Sequence, residues 1–83
     1  MRAEQILPDH VDQTDFNGVT IRKGTVAAFL ANARIWIDAA SNEAAREEAA
    51  ADIVEALPAL RAIGLFDVLD IRDARLRTWV DTQ

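Results

Sequence analysis

Cysteine and tyrosine are absent from this chain of 83 residues, proline occurs twice, glycine three times and histidine once. Without cysteine, neither a disulfide nor a thiolate metal site can reinforce the core, so packing or oligomerisation must supply its stability. The same absence suits a cytoplasmic location, which is the expectation. Long apolar runs are missing too. No stretch approaches the ~18 residues that cross a bilayer. The opening Met1-Arg2-Ala3-Glu4-Gln5-Ile6-Leu7-Pro8-Asp9 is broken by acid and proline, so no export signal and no membrane partner are expected. Basic charge is scarce: nine Lys and Arg stand against fourteen Asp and Glu, a net charge of −5. A nucleic-acid backbone is bound by basic surface that displaces counterions, so nucleic acid is excluded as an expected partner.

Reactive side chains are as sparse. His10 is the single histidine, in Pro8-Asp9-His10-Val11-Asp12. A metal site needs three or four converging ligands, and neighbours on an extended strand point to alternate faces, so an ordinary exposed histidine is the simpler reading. Ser41 lies far from that histidine in sequence and in no Gly-x-Ser-x-Gly turn. Gly18, Gly24 and Gly64 stand singly, so neither a phosphate loop nor a dinucleotide fingerprint exists. Arg72, Arg75 and Arg77 form the one local basic group, among Asp67, Asp70, Asp73 and Asp81. They read as solvated helix charge or a small anion-binding edge, with the first preferred because exposed ion pairs contribute little. No catalytic residue, cofactor or metal is expected, and the chain is expected not to be an enzyme.

What the sequence does contain is a short β element followed by helices. A chain of this size is one domain at most and buries only roughly 60% of the surface of its unfolded form. Residues 1–10, with Pro8 among them, are expected to be a flexible, loosely attached segment, and 11–83 one small globular domain. Residues flanking Asn17-Gly18 alternate in polarity, and Asn-Gly accepts the two positive φ angles of a type I′ turn, so a two-stranded hairpin is expected with Phe16, Val19 and Ile21 resting on helices.

Thr25 is a plausible N-cap for a helix over about Val26–Ala40. At about 100° per residue, Val26, Phe29, Leu30, Ala33, Ile37 and Ala40 fall on one side and are expected to form its core face. Ala28, Ile35 and Ala39 fall nearly opposite, with Asn32 beside them and Trp36 on the shoulder. A helix apolar on both sides is central to its fold or pressed against another subunit, so Ala28, Asn32, Ile35, Trp36 and Ala39 are the expected interaction surface.

Ser41 then suits the cap of a second helix over about Asn42–Leu57, antiparallel to the first, with Ala45, Ala49, Ala50, Ile53, Ala56 and Leu57 inward and Glu47, Glu48, Asp52 and Glu55 solvated. Pro58 is expected to kink it or begin a new turn, and Gly64 to end it in the left-handed region. Leu65-Phe66-Asp67-Val68-Leu69 reads as an apolar plug that completes the core. Asp70 or Asp73 would cap a last short helix with Leu76, Trp79 and Val80 on one side.

Gly24-Thr25-Val26-Ala27, then Leu57-Pro58-Ala59-Leu60 and Ile63-Gly64-Leu65-Phe66-Asp67 after an alanine-rich gap, resemble a family of small uncharacterised proteins. Its members carry a turn-containing strand segment, Thr-Gly-Thr-Val-Ala, and later Pro-x-Leu with Gly-Leu-Phe-Asp. The resemblance spans roughly residues 16–69, departs at Lys23, and lacks the aromatic, proline-rich ending of some members. That family has no assigned activity, so the resemblance implies a shared fold and no catalytic residue.

The expectation is therefore a mostly helical α+β domain, its hairpin packed on an antiparallel helix pair with a kinked second helix and a short C-terminal helix. The expected role is that of a non-enzymatic module that binds a protein partner or forms a homo-oligomer, a dimer among the options. The alternatives are a small-molecule or ion-binding protein, or a regulatory subunit of an enzyme.

Overall fold

The computed structural model describes residues 1–83. The order of elements is α1 (Ala3–Ile6), β1 (Gln13–Phe16), β2 (Val19–Arg22), α2 (Thr25–Ile37), α3 (Glu43–Ala62), α4 (Leu65–Val68) and α5 (Ala74–Asp81). The fold is mostly helical α+β, with one antiparallel hairpin near the N-terminus.

Phe16 pairs with Val19 and Thr14 with Ile21, so the hairpin loop is the dipeptide Asn17-Gly18. Both residues have positive φ, 51° and 80°, as a type I′ turn requires. The Asn17 side chain also donates to the carbonyl of Ala62 at 2.7 Å, tying the turn to the C-terminal end of α3. Ala3–Ile6 forms one helical turn, and the Lys23 ammonium donates to the carbonyls of Pro8 and Asp9, each at 3.0 Å.

Thr25 does not cap α2. Gly24, at φ 88°, holds the cap position, because a left-handed residue turns the chain from β2 directly into the helix. The Thr25 hydroxyl instead donates back to the Arg22 carbonyl at 2.6 Å. At the other end α2 stops at Ile37, short of Ala40. The Asp38 carboxylate accepts from the Ala40 N–H and the Ser41 hydroxyl donates to the Ile35 carbonyl, competing with further helical bonds. Ser41 is thus spent on α2, and Asn42 caps α3 by accepting from the Ala45 N–H at 2.8 Å. Arg46 donates to the carbonyls of Asp38 and Ser41, holding the corner.

The connection of five residues makes α2 and α3 antiparallel neighbours. Helix α3 runs unbroken through Pro58 to Ala62. Pro58 lies on its exposed side, where water can satisfy the Val54 carbonyl that the missing N–H leaves free. Gly64 sits at φ 81° just past α3, with its N–H donating to the Arg61 carbonyl, and the chain turns at once into α4. Asp73 caps α5 by accepting from the Leu76 N–H at 2.8 Å.

The core is Phe29 and Ala33 of α2, Ile53, Leu57 and Leu60 of α3, and Leu76 and Val80 of α5, with Leu65 and Phe66 packed against it. Phe66 meets Phe29 edge to face at 5.9 Å, and Trp36 stacks on Trp79 at 5.4 Å. The Leu65–Leu69 plug closes the core only through its first two residues, since Val68 and Leu69 are exposed.

Candidate functional site

The side of α2 that enters the core is Phe29, Ala33 and Trp36, not the stripe centred on Leu30 and Ile37. On this side Phe29 pairs with Phe66 and Trp36 with Trp79. The physical consequence is a rotation of α2 about its axis, which leaves apolar side chains on both flanks of the buried stripe.

The first flank carries Val26, Leu30 and Ile37, expected in the core and found exposed, Leu30 at 54% and Ile37 at 46%. They form one wall of an open groove of about 340 Å³ whose floor includes Phe29, Ala33 and Leu76. The opposite wall is Leu65, Phe66, Leu69 and Ile71. Leu69 is 58% exposed, because α4 is a single turn of four residues and the extended chain after it is too thin to roof the groove. At one end Val26 continues into a shallower hollow beside Ile6 and Leu7, which lengthens the apolar strip. Arg34, Asp70, Arg72 and Asp73 rim the groove.

The second flank carries the surface expected from sequence. Ala28 and Asn32 line an open cleft between β2 and α3, together with Thr20, Arg22, Asp52 and Glu55. Ile35 is 38% exposed. Trp36 belongs to the buried side through its stack on Trp79, and Ala39 lies beyond the end of α2 in the corner before α3. Ala28, Asn32 and Ile35 therefore share one stripe of α2, from which the structure separates Trp36 and Ala39.

The basic group near the C-terminus divides. Arg77 donates to the Ile71 carbonyl at 2.8 Å and approaches Asp70 at 3.9 Å, clamping the chain before α5. Arg72 and Arg75 make no hydrogen bond or ion pair within the chain. His10 is exposed, and no three His, Asp or Glu side chains converge on a common point. Glu47, Glu48, Asp52 and Glu55 all lie on the exposed side of α3. No helix is long and apolar enough to cross a membrane.

No protein family, curated protein or solved structure matches the chain.

Proposed function

We propose that this chain is a non-enzymatic interaction module that receives an apolar segment of another polypeptide, or of a second copy, in the groove between α2 and the α4–α5 segment. The observation that carries this is the continuity of the exposed apolar strip from Ile6 through Val26, Leu30 and Ile37 to Leu69. Large aliphatic groups left wet cost about 1–3 kcal/mol each relative to burial, and a contiguous patch rimmed by charge marks a contact site. The smaller flank of Ala28, Asn32 and Ile35 is a second candidate, with one large aliphatic residue to bury. The non-enzymatic part rests on the sequence, with its one histidine and no cysteine. The absent cysteine suits a cytoplasmic setting, and the net charge of −5 favours a protein over a nucleic-acid partner.

Site-specific photo-crosslinking in cells tests the proposal. A photo-reactive residue placed at Leu30 is expected to give a discrete adduct, and one placed at exposed Ala51 on the far side of α3 to give none. Absence of any adduct from Leu30, or equal adducts from both positions, would contradict it.

A further inference from the structure

We propose that a second hollow, where the corner between α2 and α3 meets the start of α5, binds a small organic carboxylate with a planar apolar body, held by Arg46 and Arg75 beside Trp36. The hollow has a volume of about 310 Å³ and is lined by Trp36, Ile37, Ala39, Arg46, Asp73 and Arg75. Trp36 and Ala39, which stand apart from the stripe of Ala28, Asn32 and Ile35, meet again here. Two arginines against one aspartate make this lining net positive on a chain whose net charge is −5. The aspartate is engaged, since the Asp73 carboxylate accepts from the Leu76 N–H at 2.8 Å. The arginines are not neutralised, because neither forms an ion pair.

Arg46 is half-buried and fixed through Nη2, which donates to the carbonyls of Asp38 at 3.0 Å and Ser41 at 3.2 Å. Its Nη1 and Nε have no acceptor within the chain. A guanidinium already ordered by backbone loses little further freedom on binding, so its free donors are pre-organised for an anion. Arg75 makes no hydrogen bond within the chain. It and Trp36 also line the neighbouring open hollow beside Trp79, which has no acidic residue, so the positive lining continues along the tryptophan pair. A carboxylate accepts paired N–H bonds from a guanidinium fork, and its single charge matches the surplus of the lining. Inorganic phosphate carries more charge than that surplus and leaves Trp36, Ile37 and Ala39 without a contact. Those three side chains suit a ring. Small-molecule sites run from about 300 to 1,000 Å³, and a hollow at the lower end fits a free acid of one ring.

Titration of the uniformly nitrogen-15-labelled full chain with benzoate at constant ionic strength, followed in amide and indole nitrogen–proton spectra, tests this. The Trp36 indole N–H and the amides of Ala39, Arg46 and Arg75 are expected to shift and to saturate, half-saturation falling at about 1 mM or below for a ligand of this size. Acetate, which lacks the ring, inorganic phosphate, which lacks the apolar body, and benzylamine, which reverses the charge, are each expected to bind at least about tenfold more weakly. Arg75→Gln, at an exposed position with no bond to lose, should leave the rest of the spectrum in place and weaken benzoate about tenfold, and Arg75→Lys should recover part of that loss. Leu30→Asp, in the groove and outside this hollow, should bind benzoate as the wild type does. Shifts that stay linear to about 10 mM, benzylamine or phosphate binding as well as benzoate, or an unchanged affinity in Arg75→Gln overturns the site. Loss of binding in Leu30→Asp places the ring in the groove and overturns it too. An acetylated tripeptide ending in a free phenylalanine carboxylate that binds more tightly than benzoate assigns the hollow to a polypeptide terminus and overturns the free acid.

Discussion

At the scale of single residues, Asn17, Gly18, Gly24 and Gly64 hold the left-handed positions that redirect the chain. The roles of Asn17-Gly18 and Gly64 were legible because few residues tolerate positive φ without strain. Gly64→Ala is expected to cost about 1 kcal/mol of stability in chemical denaturation. Its new Cβ would lie 3.3 Å from the Asp67 carboxylate, a movable group, so the strain is in the backbone. No shift in the midpoint would contradict the assignment. Asn17 has a second task that its neighbours in sequence do not disclose, since its amide reaches Ala62, 45 residues away. Asn17→Asp keeps the turn but replaces the donor with a negative charge at the C-terminal end of α3, which should cost about 1–2 kcal/mol. Asn17→Gly also loses the bond but adds no charge, and should cost less. Equal losses in the two variants would show that charge plays no part there. The caps of α2 and α3 were misplaced by one residue each for a related reason. Thr25 and Ser41 have hydroxyls with two possible uses, and tertiary geometry sends both back to carbonyls of the preceding element.

At the scale of elements, the inward side of α3 could be read directly, because Ala49, Ile53 and Leu57 oppose a continuous acidic side. Helix α2 offered no such contrast. With apolar residues around most of its circumference, its orientation is decided by what packs on it, and the pairing of Trp36 with Trp79 and of Phe29 with Phe66 sets the rotation. Large aromatics bury more area than Leu30 or Ile37, so they take the interior. The groove was therefore not visible in the sequence, although the excess of apolar surface on α2 was. Helix α5 has eight residues and is too short to persist alone, so its docking through Leu76, Trp79 and Val80 maintains it. Leu76→Ala should destabilise the domain by about 3 kcal/mol and weaken the near-ultraviolet dichroism of the stacked tryptophans before the far-ultraviolet signal of α3 is lost. Coincident loss of both signals would mean that α5 and α3 melt as one unit.

At the scale of the whole molecule, one small core shared by α2, α3 and α5 leaves the groove unroofed, and large aliphatic side chains remain in water on one side of α2. The two flanks of that helix make opposite predictions. Leu30→Asp should abolish association and leave the monomer folded, because the residue is more than half exposed. Ile35→Asp should leave association unchanged; loss of association in Ile35→Asp alone would move the interaction surface to the Ala28, Asn32 and Ile35 stripe. The most direct measurement is a dilution series of amide nitrogen–proton correlation spectra on the uniformly labelled wild-type chain. The expected result is that concentration-dependent shifts cluster at Val26, Leu30, Arg34 and Ile37 and across Leu65–Asp73, while Ala28, Asn32 and the exposed side of α3 stay fixed. Spectra that do not change with concentration, or shifts centred on Ile35 or α3, would contradict the groove as the surface through which this chain associates.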